Sequence, residues 1–315
     1  MAASNAAVVV AFNRKKLLTE CLDGLLRQSL PLDAIYVIDN ASTDGTDAYL
    51  QEKGYLDKPR IRYIRLPMNA GGAGGFYHGV RAAFEAGYEW IWLMDDDTEP
   101  EPEALRLMEP LKAYREVVAI ANQKHDLQGK ETLDGLRVFP KQKDRSTPYP
   151  RVKFSSFVGI LISRTAIEKI GFPIPEFFIH SDDREYCMRL LKIGEIALAE
   201  GSIVVHKEQA RQAESKSYFG FHYLRKDIYG YCFEYYGLRN YIVVQKIHGN
   251  WLTRYLLPLR RFIFATVAIV FIDKSDRWQR FKILSRAYLD GFRDNFDNGY
   301  PFRLREKLKT LTGAK

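Results

Sequence analysis

An α/β fold built on a mostly parallel sheet, followed by a helical tail, is what this sequence predicts, and three observations carry the prediction. From Ala7 to Asp95 short apolar runs alternate with polar or amphipathic stretches, the pattern of strands joined by crossover helices. Polar residues gather where those runs end, and open α/β sheets bind ligands at the carboxyl ends of their strands. After about residue 211 the chain turns aromatic, basic and helix-like. Its 315 residues, 46% hydrophobic and 27% charged, suit one large domain or two ordinary ones and exclude disorder, collagen and a disulfide scaffold.

The first strand is expected over Ala7–Phe12, with Asn13 at its end, and the helix Lys15–Gln28 follows, with Leu17, Leu18, Cys21, Leu22 and Leu25 at helical spacing. Ala34–Asp39 is the second strand. It delivers Asp39 and Asn40 to the same end of the sheet and leads into a loop-to-helix stretch from Ser42. Ile61–Leu66, the third, is followed by Asn69 and a glycine-rich helix start near Gly71. Trp90–Met94, the fourth, runs into Asp95, Asp96 and Asp97. Residues 101–112 read as a helix, Val117–Asn122 as a strand and Gln123–Arg151 as a loop or hairpin region with many turn signals. Phe154–Ser163 is strand-like, Glu185–Ile193 an amphipathic helix and Ile203–His206 a short closing strand. No internal repeat is evident. The chain is expected to divide into an α/β domain over 1–210 and a basic, aromatic, mostly helical region over 211–315.

Charge follows that division. The formal net charge is +8, yet residues 1–210 carry 27 basic and 30 acidic side chains, whereas residues 211–315 carry 20 and 9. Cys21, Cys187 and Cys232 are too scattered for a disulfide framework and form no CxxC pair, so neither a zinc site nor a redox dithiol is indicated. The N-terminal residues lack the basic stretch and long apolar core of a secretory signal, which leads to the expectation of a cytoplasmic protein.

The sharpest chemical signal is Trp92-Leu93-Met94-Asp95-Asp96-Asp97-Thr98-Glu99-Pro100. Three consecutive carboxylates after a buried strand repel one another unless a cation is present, and Mg²⁺ is often held by one or two carboxylates together with substrate phosphates. Extended backbone points Asp95 and Asp97 one way and Asp96 the other. A solvated acidic turn is the plain alternative, and the position at a strand end favours the metal–phosphate reading. The second signal is Asn69-Ala70-Gly71-Gly72-Ala73-Gly74-Gly75-Phe76. Its glycines permit close backbone approach to a ligand at a helix N-terminus, or equally tight helix–sheet packing. It is neither a dinucleotide fingerprint, because Tyr77 falls at the third glycine and the stretch follows the third strand, nor a Walker loop. The third is His180-Ser181-Asp182-Asp183-Arg184-Glu185, two carboxylates at a helix start, suited to capping the helix or to general-base work on a hydroxyl. His206 is a candidate third metal ligand, with an ordinary structural histidine as the alternative.

In this order the motifs resemble the inverting family 2 glycosyltransferases with a GT-A fold, over roughly residues 6–210. The resemblance rests on Val8-Val9-Val10-Ala11-Phe12-Asn13-Arg14, on Val37-Ile38-Asp39-Asn40-Ala41-Ser42-Thr43-Asp44-Gly45-Thr46, on the Asp95–Asp97 triplet as the DxD motif and on Asp182-Asp183 as the acidic pair. Tyr235-Tyr236-Gly237-Leu238-Arg239-Asn240 is similar to a segment found just after the catalytic domain in bacterial members. Within the family, the glycine-rich stretch with Met94-Asp95-Asp96-Asp97 looks most like the galactofuranosyltransferases that use UDP-galactofuranose; rhamnosyltransferases, which use dTDP-rhamnose, share much of it. The resemblance implies that Asp39 contacts the uracil, that Asn13 and Arg14 line the nucleotide pocket, that Asp95 and Asp97 bind Mn²⁺ or Mg²⁺ on the diphosphate, that His206 ligates metal or diphosphate, and that Asp183 is the base. Phe12, Asn40, Asn69, Gly71, Gly72, Gly74, Gly75 and Asp96 complete the expected donor site. The family's pair is often Glu-Asp, so Asp182 remains a rival for the base.

The implied acceptor is a hydroxyl of a lipid-linked or oligosaccharide glycan in bacterial cell-surface polysaccharide synthesis, O-antigen among them. A nucleotidyltransferase would place its glycine-rich loop after the first strand, which this chain does not, and a decayed sugar-binding module would not be expected to keep Asp95, Asp97, Asp183 and His206. In the basic region Trp251–Ile272 holds the longest apolar stretch, with Phe262–Ile272 free of charged residues; eleven residues fall short of the ~20 that span a bilayer. Arg254, Arg260 and Arg261 among Trp251, Tyr255, Phe262 and Phe264 suggest an interfacial helix on an anionic membrane, hence a peripheral enzyme on the inner face of the cell membrane. Packing on the catalytic domain or a homo-oligomer contact is the alternative; no nucleic-acid-binding motif is present.

Overall fold

The computed structural model describes residues 4–132, 148–207, 215–218, 221–224, 227–273 and 275–312. They form two compact units. One comprises Met1–Pro175 and Asp183–Gln209, the other Glu176–Asp182 and Ala210–Lys315.

The first unit is a nine-stranded sheet. Its strands are β1 (Asn5–Ala11), β2 (Ala34–Asp39), β3 (Ile61–Arg65), β4 (Trp90–Asp95), β5 (Thr98–Pro100), β6 (Val117–His125), β7 (Arg151–Val152), β8 (Ile160–Ser163) and β9 (Glu195–His206). Their spatial order is β3-β2-β1-β4-β8-β6-β9-β5, with β7 also paired to β9. The first four are mutually parallel; β8 runs antiparallel to both β4 and β6, and β5 antiparallel to β9.

Central β1 is buried along its whole length, which is why its sequence is apolar without alternation. Its two faces serve different cores. Ala6, Val8 and Val10 pack with Phe76, Val80, Tyr186 and Leu190 on one side, while Ala7, Val9 and Ala11 pack with Leu18, Leu22 and Leu25 on the other. The first face is covered by α3 (Gly71–Glu85) and α6 (Asp182–Leu190), the second by α1 (Lys15–Leu26). The small helices α2 (Thr46–Glu52), α4 (Ala104–Met108) and α5 (Arg164–Ile170) complete the unit.

Several expectations needed changing. The helix over 101–112 is α4 continued by a 3₁₀ turn, Glu109–Ala113, with Pro110 among its first residues. The strand-like stretch 154–163 is β-paired only from Ile160; Phe157, Val158 and Gly159 instead form a turn into the core, where Gly159 has φ 80°. The closing strand is twelve residues long, because register shifts against β6 let β9 bend and continue. β5 was not foreseen, being three residues long and directly after the carboxylates. Of the Gln123–Arg151 region, residues 133–147 lie outside the described residues.

The second unit contains α7 (Ile228–Tyr231), α8 (Glu234–His248), α9 (Trp251–Phe271), α10 (Arg277–Arg293) and α11 (Tyr300–Thr312), with a two-stranded hairpin of β10 (Ser215–Tyr218) and β11 (Phe221–Leu224) that the mostly helical reading omitted. Its core is Tyr235, Tyr236, Leu238, Ile242, Ile269, Ile283, Leu284 and Ala287. Asp290 of α10 lies in it, accepting from Tyr235 Oη at 2.8 Å, Arg286 Nε at 2.6 Å and Asn295 Nδ2 at 2.9 Å.

Candidate active site

The parallel strands β1, β2 and β4 all end on one edge, and the polar residues after them meet there. β5 then turns Thr98–Pro100 onto β9, pairing Thr98 with His206. That pairing joins Asp97 to a histidine more than a hundred positions away. Ligand atoms of Asp95, Asp97 and His206 all lie within 4.8 Å of one another, with His206 Nε2 3.3 Å from Asp97 Oδ1.

Asp96 points the other way, as alternation requires. Its Oδ2 accepts from the Phe12 amide at 3.0 Å and its Oδ1 lies 3.3 Å from Arg14 Nη1, which also reaches Asp97 Oδ2 at 3.1 Å. Asp96 therefore stitches the end of β1 to the end of β4, and Arg14, with 41% of its side chain exposed, places a guanidinium beside the cluster.

Crowding of carboxylates in a buried place has an electrostatic consequence. Burial first, and Asp97 second, raise the Asp95 carboxyl to about 6, against the pull of His206 and Arg14. Burial raises Asp96 to about 7, against the Phe12 amide and Arg14. Burial disfavours the charge on His206, but the close contact with Asp97 and the charges of Asp97 and Asp95 outweigh it and lift the imidazole above its ordinary value. Asp97 Oδ1 is buried and makes no hydrogen bond of acceptable geometry. An acceptor with unfilled lone pairs, facing a second carboxylate and an imidazole, is the donor set of a hard divalent cation, and these three residues fit one.

Asp183 is the second residue of α6, after Asp182, and its Oδ1 accepts from the Arg184 amide at 2.6 Å. Burial raises its carboxyl, opposed by that amide and by the Lys124 and Arg184 charges, and Asp183 in turn acts on Asp95. The two carboxylates are thus within electrostatic range. Asp182, the preceding residue, falls in the helical unit. Lys124, near the end of β6 and buried, hydrogen-bonds Ser156 Oγ at 2.7 Å and Ser155 Oγ at 3.3 Å and bears on both Asp183 and His206. Sequence reasoning missed it because the strand was expected to stop at Asn122.

At the other end of the site Asp39 is completely buried. Its Oδ1 accepts from the Ser42 amide at 2.8 Å and its Oδ2 from Arg65 Nη1 at 2.9 Å and from Tyr63 Oη. Tyr63 and Arg65, on β3, were not foreseen; their signal was alternation, which puts both on the same side of that strand. Asn13, at φ 55°, accepts on Oδ1 from the Thr43 amide at 2.6 Å and so ties the β1 and β2 ends together. Asn40 accepts from the Ala70 amide and donates to the Gly71 carbonyl, both at 2.8 Å, while Asn69 Oδ1 accepts from the Gly71 amide.

The glycine-rich stretch divides in two. A Cβ on Gly75 would meet Val10 Cγ1 at 2.4 Å, and one on Gly74 would meet Ala70 Cβ at 2.5 Å. Both positions are closely packed, and Gly75 lets α3 lie against β1. Gly71 needs its hydrogen for φ 73°, and a Cβ on Gly72 would meet nothing within 4 Å.

The family model for glycosyl transferase family 2 matches residues 6–171. The chain belongs to that family. Galactofuranosyltransferase GlfT1 of Mycolicibacterium smegmatis is 27% identical over 205 residues, 60% of this chain and 65% of the relative, so the chain spans about two-thirds of that relative's length. Staphylococcus aureus TarS 1–349 in complex with UDP shares the fold at a TM-score of 0.58 and 15% identity, over 98% of this chain and 92% of TarS. GalNAc-T7 with UDP, GalNAc and Mn²⁺ does so at 0.59 and 13%, over 95% and 58%. These likenesses establish the GT-A fold with a helical C-terminal region.

Proposed function

We propose that this family 2 member is a metal-dependent inverting glycosyltransferase that moves galactofuranose from UDP-galactofuranose to a hydroxyl of a lipid-linked glycan. The observation that carries the reading is the Asp95–Asp97–His206 cluster within electrostatic range of Asp183, and the likeness to GlfT1 supports the donor. A divalent cation, Mn²⁺ or Mg²⁺, held by those three residues would offset the charge that builds on the leaving diphosphate.

The chain's own groups do the rest. Asp183 accepts the proton of the acceptor hydroxyl; the acceptor oxygen forms a bond to the anomeric carbon as the bond to the diphosphate oxygen breaks, and the electron pair leaves with UDP. A carboxyl lifted by burial is the stronger base. Arg14, held by Asp96 and Asp97, stands beside the cluster to meet diphosphate oxygens. Tyr63 and Arg65, backed by Asp39, would serve the nucleoside, and Gly72 at the start of α3, where an added Cβ would meet nothing within 4 Å, would let the donor come close.

The helical unit supports a place on a membrane surface. No helix among the described residues is long and apolar enough to cross a bilayer. Yet α9 exposes Leu252, Leu256, Leu259, Ile263 and Val267 along one stripe with Arg260 beside it, the composition of a helix lying in an anionic interface.

Turnover of UDP-galactofuranose, UDP-galactopyranose, UDP-GlcNAc and dTDP-rhamnose, with and without Mn²⁺, tests the proposal. Release of UDP from the first alone, abolished by chelation, is expected. Preference for dTDP-rhamnose would overturn the donor, and full activity in chelator the metal.

A further inference from the structure

The residues that lead into Asp183 have a costly backbone. Phe178, His180 and Ser181 adopt φ of 64°, 70° and 67°. Residues other than glycine are strained in that region, and such conformations persist only where the surroundings over-determine them. Here the determinant is one pair of side chains. Arg239 and Asn240, adjacent on α8, are both completely buried.

Asn240 Nδ2 lies 2.8, 2.9 and 2.8 Å from the carbonyl oxygens of Phe177, Ile179 and His180. Its Oδ1 accepts from Arg239 Nε at 2.9 Å, which fixes the orientation of the amide. Arg239 Nη2 donates to the carbonyls of Glu176 and Phe177 at 3.1 and 3.2 Å, and Nη1 to Asn298 Oδ1 at 2.8 Å. Asn298 Nδ2 returns to the Glu176 carbonyl at 3.1 Å, and the Phe178 ring stacks on Tyr236 with centroids 5.0 Å apart. These hydrogen bonds of a buried guanidinium all end on neutral oxygens, so a desolvated cation is committed to holding backbone. Four carbonyls of one turn converge on it and its neighbour. The chain leaves this turn through Asp182, and the next residue is Asp183.

We propose that Arg239 and Asn240 are positioning residues for the general base: by fixing the backbone of 176–181 they set where the Asp183 carboxylate stands. The inference rests on the reading of Asp183 as base. It explains why a segment within the catalytic sequence belongs, by its packing, to the helical unit, and it gives that unit a part in the chemistry separate from any membrane contact.

The test uses the full chain with Asn240→Ala, Asn298→Ala, Asp183→Asn and the double variant Asp183→Asn/Asn240→Ala. UDP affinity in Mn²⁺, thermal midpoint, kcat and donor KM are read for each. Asn240→Ala is expected to lower kcat by about 10–100-fold, the scale of an ångström-sized misplacement, with UDP affinity and donor KM within about twofold of the parent. The double variant should be no slower than Asp183→Asn, since a misplaced base and a missing one fail alike. Asn298→Ala, which removes one support, should give a smaller loss of the same kind and carries the test should Asn240→Ala not fold. Unchanged kcat, UDP affinity falling in step with kcat, or losses that multiply in the double variant would overturn the proposal. Normal turnover by Asp183→Asn would instead remove the base on which it rests.

Discussion

Two buried carboxylates, Asp97 in the sheet unit and Asp290 in the helical unit, are of one residue type and opposite in use. Asp290 has a tyrosine hydroxyl, a guanidinium and an amide on its oxygens; burial opposes its charge, but those three hydrogen bonds prevail and hold it below the ordinary carboxylate range. Asp97 shares a buried cluster with two further carboxylates, two of which are lifted to about 6 and about 7, and keeps an oxygen without a hydrogen bond. A satisfied buried charge marks architecture, whereas one left with open lone pairs among its like marks the place of something that binds.

Substitution breaks the comparison most directly. Asp97→Asn should lower Mn²⁺-dependent transfer by more than the ~10–100-fold typical when an outer-shell partner of a metal is lost, while leaving the thermal midpoint of the metal-free protein unchanged or higher, because it removes like-charge repulsion. Asp290→Asn should do the reverse, lowering stability by about 2 kcal/mol with kcat per folded molecule retained. Equal thermal destabilisation by both would erase the distinction.

Acidity sharpens it. Asp95 and Asp96 hold protons more tightly folded than unfolded, so metal-free protein gains stability as pH falls from 8 to 6 and loses it as pH rises through about 7. Mn²⁺ competes with the protons on Asp95 and His206, so its affinity should climb as pH rises from 6 to 8. Calorimetry at pH 6 and 8, with and without Mn²⁺, reads both slopes; parallel slopes would contradict the grouping of these carboxylates around a cation.

A smaller effect is expected at the exposed stripe of α9. Leu256→Glu with Ile263→Glu should weaken sedimentation with anionic vesicles several-fold while leaving turnover of soluble acceptor unaltered. Unaltered sedimentation, or loss of a dimer in its place, would assign the stripe to another surface.

Much of the sheet was legible because its strands are buried on both faces and read as uninterrupted apolar runs; Ala34–Asp39 matches to the residue. Legibility failed where a segment is short or its packing is set from afar. β5 is three residues long and carries no period of its own. Gly75 in sequence suits a ligand or tight packing equally, and the 2.4 Å approach of Val10 shows it closing a helix on a strand. Lys124 is a polar residue in a stretch rich in turn signals until β6 is seen to run through it.

The sequence by itself determined the α/β class, the strand ends and the residue types gathered there, because strand burial and side-chain alternation are local properties written along the chain. Only the tertiary structure decided that His206 stands against Asp97, that Asp39 is enclosed by Tyr63 and Arg65, and that Arg239 and Asn240 hold the turn before Asp183. Those pairings depend on register between distant segments and on which buried polar atoms find partners, and neither is encoded in any one stretch of residues.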